Sequence, residues 1–391
     1  MALSGACLGG VLPAGALGIR IADQDPFATA RGNAFVATAD NPSAIYYNPA
    51  GIARLERIHA GVGTYGVTYK SEYSGVSGTF ETKNKPQAVP QIYATATLED
   101  LPISYGLGVY SPYGLALEWP DQPGFRNAAL QGRISYLTLH PVIAWRVTPK
   151  LSIGAGPTIN YAETKIRQGV VVPGDELRFE GDDWDMGFTA GILWQPHERH
   201  SFGAMYRSES EMDFAGEGRV TGSLPFLNGA APGSARFPFP QHAVVGWSFR
   251  PTPQWNLEFN LDWTDWNRLT TVVLNQPGNP ALPAVPISFN WRSSFFYEWG
   301  VTRHFDNGWR ASGGYIFSEN SVPDASFSPV VPDSDRHIFS IGVGQSKDRY
   351  RWDLGYQFAW GPPRTVSLGG ATDGRYEFFS HALAFSLRRA F

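Results

Sequence analysis

Cysteine is almost absent from this chain: the only one, Cys7, lies in the apolar stretch at the N-terminus. One cysteine cannot form an intramolecular disulfide or a cysteine-based metal site, so both are excluded. Long apolar runs are missing as well. A membrane-spanning helix needs about 20 consecutive apolar residues, and no such run follows the N-terminal dozen residues. The sequence therefore excludes a helical membrane protein.

Charge is also scarce, since Asp, Glu, Lys and Arg make up 17% of the 391 residues and the formal net charge is −4. A chain without a basic excess has no electrostatic footprint for nucleic acid, which argues against nucleic acid as a partner. The motifs G-x-S-x-G, Walker loop, dinucleotide fingerprint and H-E-x-x-H are missing too. Because these motifs position nucleophiles, phosphates and zinc, we predict neither an enzyme nor a bound cofactor or metal.

What is present is alternation, and it is clearest in residues 377–391. Successive residues of a strand point to opposite faces, so this segment has one apolar face and one small or polar face. The apolar face carries Phe379, Leu383, Phe385, Leu387 and Phe391, and the other face carries Ser380, Ala382, Ala384, Ser386 and Arg388. The pattern predicts the last strand of an outer-membrane β-barrel, with lipid outside and a polar lumen inside.

The same alternation recurs along the chain, for example in residues 151–161, 255–263 and 350–360. Aromatic residues make up 14% of the chain and cluster at the ends of the apolar faces, as in the aromatic girdles of membrane barrels. A soluble β-sandwich also alternates, but its exposed face has no need of 43 glycines. We therefore predict an all-β membrane protein, an antiparallel transmembrane β-barrel of about fourteen strands.

The chain is predicted to have three parts. Residues 1–16 are apolar and end in Ala14-Gly15-Ala16, a sequence typical of a signal-peptide cleavage site, although a buried N-terminal strand is the alternative. Residues 17–56 lack alternation and contain three X-Pro breaks, which distinguishes them from the strands that follow. Residues 57–391 alternate and form the predicted barrel.

Two long connections, residues 111–131 and 215–241, carry more apolar side chains than exposed loops need. We predict that the two connections pack together and leave an apolar groove between them. The candidate groove residues are Leu115, Leu117, Trp119, Phe125, Leu224, Phe226 and Leu227.

Residues 39–55 contain the string Asn48-Pro49-Ala50, and this stretch resembles the N-terminal hatch of the FadL/TodX family. That family comprises outer-membrane channels for long-chain fatty acids and aromatic hydrocarbons. The resemblance implies that residues 17–56 form a small N-terminal plug, or hatch, in the lumen of the barrel. Further matches, in the same order along the chain, are Tyr206-Arg207-Ser208, Trp263-Thr264-Asp265-Trp266 and Pro332-Asp333-Ser334-Asp335-Arg336.

The resemblance implies passive uptake of hydrophobic molecules, most of all long-chain fatty acids, across the outer membrane of a Gram-negative bacterium. Ligand would be caught between the outer loops, pass the hatch, whose motif is Asn48, Pro49 and Ala50, and leave through an opening in the barrel wall. A kinked third strand would provide that opening, and Gly106, Gly108 and Pro112 are the residues that weaken its pairing. The chain would be a monomer in contact with membrane lipid and lipopolysaccharide.

The substrate class stays open between fatty acids and aromatic hydrocarbons such as toluene. Arg126 and Arg133, near the first long connection, are the candidates for neutralising a fatty-acid carboxylate, with an ordinary interface charge as the alternative. A general hydrophilic porin is a further alternative, favoured by polar lumen residues such as Glu258 and Asp262. The plug and the apolar connections argue against it, because a porin keeps its lumen wet and open.

Overall fold

The structure is a computed structural model that describes residues 18–83, 85–98, 101–170, 172–226, 228–279 and 282–391. The described part consists mainly of twenty strands in one antiparallel sheet. The strands are β1 (Ile58–Gly75), β2 (Gly78–Glu81), β3 (Gln87–Thr97), β4 (Ile103–Tyr110), β5 (Gly114–Glu118), β6 (Gln131–Thr148), β7 (Leu151–Gly169), β8 (Glu176–His197), β9 (His200–Arg207), β10 (Ser210–Thr221), β11 (Gly229–Phe239), β12 (His242–Phe249), β13 (Trp255–Thr264), β14 (Thr271–Asn275), β15 (Ala284–Ser288), β16 (Ser294–His304), β17 (Trp309–Ser318), β18 (Arg336–Lys347), β19 (Tyr350–Val366) and β20 (Gly374–Ala390). The predicted signal peptide, residues 1–16, lies outside the described residues.

These segments build a closed barrel of fourteen wall strands. Five wall strands are interrupted once, so that β4 continues in β5, β9 in β10, β11 in β12, β13 in β14 and β15 in β16. The short β2 extends the hairpin that follows β1. The barrel closes where β1 pairs with β20, from His59 opposite Ala390 to Ser74 opposite Arg375. The predicted fold class and strand number are confirmed.

The wall has two faces because each strand alternates. In β20, Leu383 is 61% exposed on the outer face, whereas its neighbour Ala384 is 1% exposed on the inner face. The polar partners in β13 and β19, such as Glu258, Asp262 and Asp353, are buried inside the barrel, as the pattern predicts. None of the helices in the part of the chain that the structure describes is long and apolar enough to cross a membrane.

The two ends of the barrel differ. The lower end, as we name it, carries short turns together with Ile58 and Phe391, and the upper end carries the longer connections. The predicted second long connection is mostly strand: β10 and β11 pair along their whole length and extend the wall upward, so only residues 222–228 connect them. The prediction of a long loop over residues 215–241 was wrong. Met212 and Phe214 alternate with Asp213, and this strand pattern continues into the following residues although they are rich in glycine and proline.

The third wall strand is broken between β4 and β5. Pro112 lies in the break, but Gly106 and Gly108 do not, because both are paired with β3 on one side and with β6 on the other. These two glycines instead make room for Ile45, whose side chain would touch a Cβ at either position. Among the described residues no ladder joins β3 to β5, so the wall is open above the last β3–β4 pair, Ile92 with Val109.

Residues 18–57, which we call the inner segment, run inside the lower half of the barrel and are almost entirely buried. Helix α1 (Pro26–Ala30) begins with proline at its first position and is capped by Asp25, whose carboxylate accepts the N–H groups of Phe27 and Ala28, both at 3.1 Å. Helix α2 (Ala44–Tyr47) and the 3-10 helix Pro49–Arg54 follow.

Glycines on the inner face of the wall allow the inner segment to pack closely against the strands, and we call this contact surface the seat. At each of several positions an added Cβ would collide with the segment, so only glycine allows this close approach. The pairs include Gly154 against Pro49, Gly191 against Asn48, Gly203 against Val36 and Gly314 against Gly32. The abundance of glycine in the strands is thus explained by a packed interior. The division into a plug that ends at residue 56 and a barrel that begins at residue 57 stays a prediction.

Candidate functional site

Above the inner segment lies an apolar cleft, which we call the upper cleft. It occupies about 800 Å³, counted with its solvent-filled mouth, between β5, β6, β7 and the upper strands β10, β11, β14 and β15. Its lining is dominated by aliphatic and aromatic side chains, namely Ile19, Leu115, Ile134, Ile166, Phe214, Phe237, Val272, Ile287, Phe289, Trp291, Val330 and Val331. A concave surface with this apolar lining is suited to an apolar small molecule.

Aromatic rings continue downward from the upper cleft towards the inner segment. Phe237 in the cleft wall contacts Phe239, with ring centroids 5.0 Å apart. Phe239 in turn contacts Tyr113 at 5.0 Å and Tyr136 at 4.8 Å. We call these four residues the aromatic column. The column connects the upper cleft to the level of the inner segment without a charged side chain among its members.

The floor of the upper cleft is made by the first described residues of the inner segment. Ile19 lines the cleft, and the backbone of residues 19–21 pairs with the break in the third wall strand through Gly114 N–H to Ile19 O and Ile21 N–H to Pro112 O, both 2.8 Å. The next side chain, Arg20, donates to both carboxylate oxygens of Asp262 at 2.7 and 2.6 Å. It also donates to the hydroxyl of Thr264 at 2.7 Å. Such bidentate, charge-assisted bonds hold the segment firmly against β13.

Below that floor the interior combines apolar packing with several buried ion pairs. Asp25 forms an ion pair with Arg388, which also donates to Asp353 at 2.9 Å. Asp353 accepts two further bonds from Arg310, at 2.6 and 2.9 Å. Arg31 lies 3.5 Å from Glu258, whose carboxylate also accepts from the backbone N–H of Ala37 and the hydroxyl of Thr38. We call this part of the interior the ionic level.

The predicted hatch motif anchors the inner segment to the wall. Asn48 donates to the carbonyl oxygens of Val36 at 2.8 Å and Ile192 at 3.0 Å, and its own side-chain oxygen accepts from the N–H of Ala50 at 3.2 Å. Pro49 opens the 3-10 helix and rests on Gly154. The motif therefore ties the segment to β7 and β8.

Tyr47, at the end of α2, holds the inner segment to itself. Its hydroxyl donates to Ala22 O at 2.9 Å or to Asn33 Oδ1 at 3.1 Å, and it accepts from Gln24 N–H at 2.9 Å. Burial raises the pKa of the Tyr47 phenol well above its ordinary value, so the hydroxyl remains a neutral donor.

The predicted groove residues separate into three groups in the structure. Leu115 lines the upper cleft. Leu117, Trp119, Phe125 and the partly buried Leu224 belong to the packed core around the cleft, where the indole N–H of Trp119 donates to Pro329 O at 2.9 Å. Phe226 is 74% exposed at a loop tip, and Leu227 lies outside the described residues.

Neither predicted carboxylate partner directs its guanidinium into the upper cleft. Arg126 donates to the loop carbonyls of Val172 at 3.2 Å and Asp175 at 2.7 Å. Arg133 has the same strand parity as the exposed Leu137 and Leu139, so its side chain lies on the outer face of β6. Arg133 borders both the cleft and a polar depression on the outer face, which it shares with Glu163 and Glu180. The role proposed for either residue stays untested.

The sequence pattern did not identify two further candidate functional residues. Arg20 and Arg207 are both buried inside the barrel at the level where the aromatic column ends. Strand parity was the available signal for Arg207, because it follows the inward-facing Ser201, Gly203 and Met205 of β9. No signal marked Arg20, which lies outside the alternating part of the chain.

Comparison with protein-family models matches residues 6–391 to the family described as outer membrane protein transport protein (OMPP1/FadL/TodX). Among curated relatives, a long-chain fatty acid transport protein of Salmonella typhi is 24% identical over 386 residues, covering 89% of this chain and 87% of the relative. The protein of the same name from Escherichia coli K12 is 23% identical over 397 residues, with the same coverage of 89% and 87%.

Solved structures show the same fold. The crystal structure of a Pseudomonas aeruginosa FadL homologue superposes with a TM-score of 0.87 at 19% identity, covering 96% of this chain and 100% of that chain. The Pseudomonas putida toluene transporter TodX superposes with a TM-score of 0.75 at 16% identity, covering 93% of this chain and 97% of that chain. At these identities the likeness establishes the architecture alone.

Proposed function

Because this chain belongs to the OMPP1/FadL/TodX family of outer-membrane transport proteins, we propose that it takes up long-chain fatty acids by passive diffusion. Family membership makes it a transporter of hydrophobic substrates in the outer membrane of a Gram-negative bacterium, and not an enzyme. The finer statement, the fatty acid, is supported by the curated relatives with that function and by the shape of the site.

The observation that carries the proposal is the upper cleft with its aromatic column. The apolar lining of the cleft continues downward in the packed rings of the column, so the apolar region is elongated, and a small ring such as toluene would contact only part of it. Burial of apolar surface is worth roughly 25 cal/mol per Å², so a long acyl chain gains more from an elongated apolar region than a single ring does. Transport of aromatic hydrocarbons is the second candidate, since the TodX structure shares the architecture.

The proposed route begins in the upper cleft and ends sideways. The ionic level below Arg20 blocks an apolar solute, while the break between β4 and β5 lies beside residues 19–21. Separating these residues from the break would open a path from the aromatic column into the surrounding lipid. In this route the inner segment acts as the hatch and Asn48, Pro49 and Ala50 keep its main body in place.

The proposal also includes the surroundings of the barrel. Because the sheet closes through β1 and β20, no wall strand of the described barrel has an edge that is free along its whole length, so we propose a monomer. Its apolar outer face would contact membrane lipid, and the charged upper part of the outer wall would contact lipopolysaccharide.

The test is a charge placed in the upper cleft. Phe237→Asp should lower oleate uptake into proteoliposomes at least about tenfold, because an unpaired carboxylate in an apolar site costs several kcal/mol. Phe226→Asp is the matched control, since Phe226 lies at an exposed loop tip. Equal uptake by the Phe237 variant and the wild type would contradict the proposed route, and free passage of a small sugar would favour a porin.

A further inference from the structure

The outer face of the wall carries an apolar groove, which we call the lower groove. It occupies about 870 Å³, counted with its open side, and crosses the adjacent strands β12, β13, β16 and β17. Its sides are apolar and mainly aromatic, and they include Trp247, Leu257, Phe259, Trp299, Val301 and Tyr315. The described lining of the upper cleft shares no residue with this set, so the lower groove is separate from the proposed uptake path.

Glycines in β16 and β17 form the floor of the lower groove. Gly300 is paired with Gly314, and Gly313 is next in the ladder, so the wall here is reduced almost to its backbone. The inner segment explains two of these glycines, because a Cβ at Gly300 or Gly314 would collide with it. The described structure contains no such reason for Gly313, since an added Cβ there would have no atom outside the adjacent residues nearer than 3.8 Å. The effect of Gly313 is instead to leave open space on the lipid side of the wall.

Aromatic rings border the lower groove at its upper end. The outward rings of Phe259, Trp299 and Tyr315 form a row across three strands, with centroids 5.3 and 5.5 Å apart. An acyl chain in the groove contacts side chains on both flanks and the glycine floor, whereas a chain on the even part of the lipid face contacts one surface. Dispersion attraction grows with the number of close contacts, so the groove holds a chain more strongly than the even face does.

Arg303 lies at the lower end of the groove, two residues beyond Val301 on the same outer face of β16. Its side chain is exposed, and the guanidinium lies over the rings of Trp255 at 5.4 Å and Phe305 at 5.0 Å. In the part of the chain that the structure describes, Arg303 has no carboxylate partner. Exposed aromatic residues such as these two mark the membrane interface, so Arg303 is a free cation at the level of the lipid headgroups.

The lower end of the barrel lies at the lower leaflet, because short turns are typical of the periplasmic end of such barrels. Glycerophospholipids form that leaflet. Arg303 and Trp299 are four residues apart on one face of β16, a distance of roughly 13 Å at the rise of a strand. Part of one acyl chain spans that distance, so a phospholipid can place its phosphate at Arg303 and a chain over Gly313 at the same time.

We propose that the lower groove and Arg303 bind one glycerophospholipid of the lower leaflet. The Arg303 guanidinium donates to phosphate oxygens, and one acyl chain lies over Gly313 below the aromatic row. A guanidinium matches the geometry of a phosphate, so the site selects a phosphate-bearing lipid over a neutral lipid with the same chains. The site does not depend on the transported substrate, and it holds for uptake of fatty acids and of aromatic hydrocarbons alike.

The experiment measures lipid retention by the purified full-length protein in detergent, with native mass spectrometry. The probes are dioleoylphosphatidylglycerol and dioleoylglycerol, which have the same chains and differ in the phosphate-bearing head. The wild type should retain one phosphatidylglycerol. Arg303→Gln should weaken this binding about tenfold, because it removes a charge-assisted hydrogen bond. Gly313→Leu should also weaken it about tenfold, because the leucine takes the place of the acyl chain.

Two matched controls have the same chemistry outside the groove. Arg389 is an exposed arginine of the lower rim that also lies over two rings, those of Tyr350 and Phe391, but the face above it is filled by side chains such as Leu387. Gly66 lies on the outer face of β1, where an added Cβ would meet no atom outside the adjacent residues nearer than 3.5 Å. Arg389→Gln and Gly66→Leu should each bind phosphatidylglycerol within about twofold of the wild type.

Equal phosphatidylglycerol binding by the wild type, Arg303→Gln and Gly313→Leu would overturn the proposal. A wild type that retains no phosphatidylglycerol, or that binds the two probes equally, would overturn it as well. Oleate that displaces phosphatidylglycerol with equal affinity would assign the groove to a free fatty acid, and a dimer that Gly313→Leu abolishes would assign it to a second copy of the chain; either result overturns the phospholipid site. If Gly313→Leu does not fold, Arg303→Gln provides the decision, because it changes only an exposed side chain.

Discussion

The interior of this barrel is mainly apolar above Arg20, whereas below it apolar packing is combined with several buried ion pairs. The upper part contains the aromatic column and a cleft bordered by side chains such as Phe289 and Trp291. The lower part contains the inner segment, held by ion pairs that include Asp25 with Arg388 and Arg31 with Glu258. The two parts are made by the same alternating strands, so the difference lies in what the inner face of each strand packs against.

This contrast bears on the proposed route of a hydrophobic solute. An apolar molecule has a lower free energy in contact with apolar surface than in water or beside buried charges. The last apolar contact before the ionic level is made by the aromatic column, and the broken third wall strand lies beside it. A sideways exit at this level therefore agrees with the division of the interior better than a vertical path does.

The largest effect is expected from breaking the seal of the lower part. Gly314→Val should open the barrel to ions, because a side chain there collides with the backbone of Gly32 and unseats the inner segment. Gly313→Val is the matched control, since its nearest atom outside the adjacent residues is 3.8 Å away on the outer face. Conductance in planar bilayers measures the difference. Equal, low conductance of both variants would show that the seat tolerates the side chain.

A smaller effect is expected at the boundary between the two parts. Asp262→Asn leaves the Arg20 guanidinium buried without a counter-charge, which should lower the free energy of unfolding by about 3–5 kcal/mol. Adding Arg20→Gln should restore part of that loss, since the double variant has no buried charge. Urea titration of the purified barrel checks both values. If the losses of the two single variants simply add, Arg20 and Asp262 are not coupled.

The smallest effect is expected on the outer face, where ion pairs belong to neither part of the interior. Lys165 lies 2.5 Å from Glu180 in an exposed cross-strand pair. Lys165→Gln should change the free energy of unfolding by less than about 1 kcal/mol, because exposed pairs are screened by water and salt. The same urea titration measures it. A loss as large as that of Asp262→Asn would mean that the contrast between buried and exposed pairs does not hold here.

Much of the wall followed from the sequence because its physics is local. Alternation with period two separates a lipid face from an inner face wherever it occurs, and β13, β19 and β20 have the faces that their sequences predict. The extent of β10 and β11 was missed, since glycine and proline interrupt a pattern that nevertheless continues. Strand alternation also assigns Arg133 to the outer face, because Arg133 has the same parity as the exposed Leu137.

The candidate site was less predictable because its parts come from distant stretches of the chain. Leu115 was identified from a run of apolar residues, but Phe237 and Ile134 join it only when β11 and β6 face each other across the barrel. Arg20 and Asp262 are 242 positions apart in the chain, so no local sequence pattern predicts the hydrogen bond between them. The sequence also does not predict that Arg207 lacks a carboxylate partner in the described interior, because that depends on which side chains the fold places around it.

The sequence by itself determined the barrel, its even number of strands, its lipid face and the different character of residues 17–56, because each depends on short-range alternation or its loss. Only the tertiary structure decided which polar side chains meet, where the third wall strand is open, and which arginine remains unpaired. Those properties depend on the register of closure and on the fit of residues 18–57 against wall glycines. Contacts between residues hundreds of positions apart are set by that closure and fit.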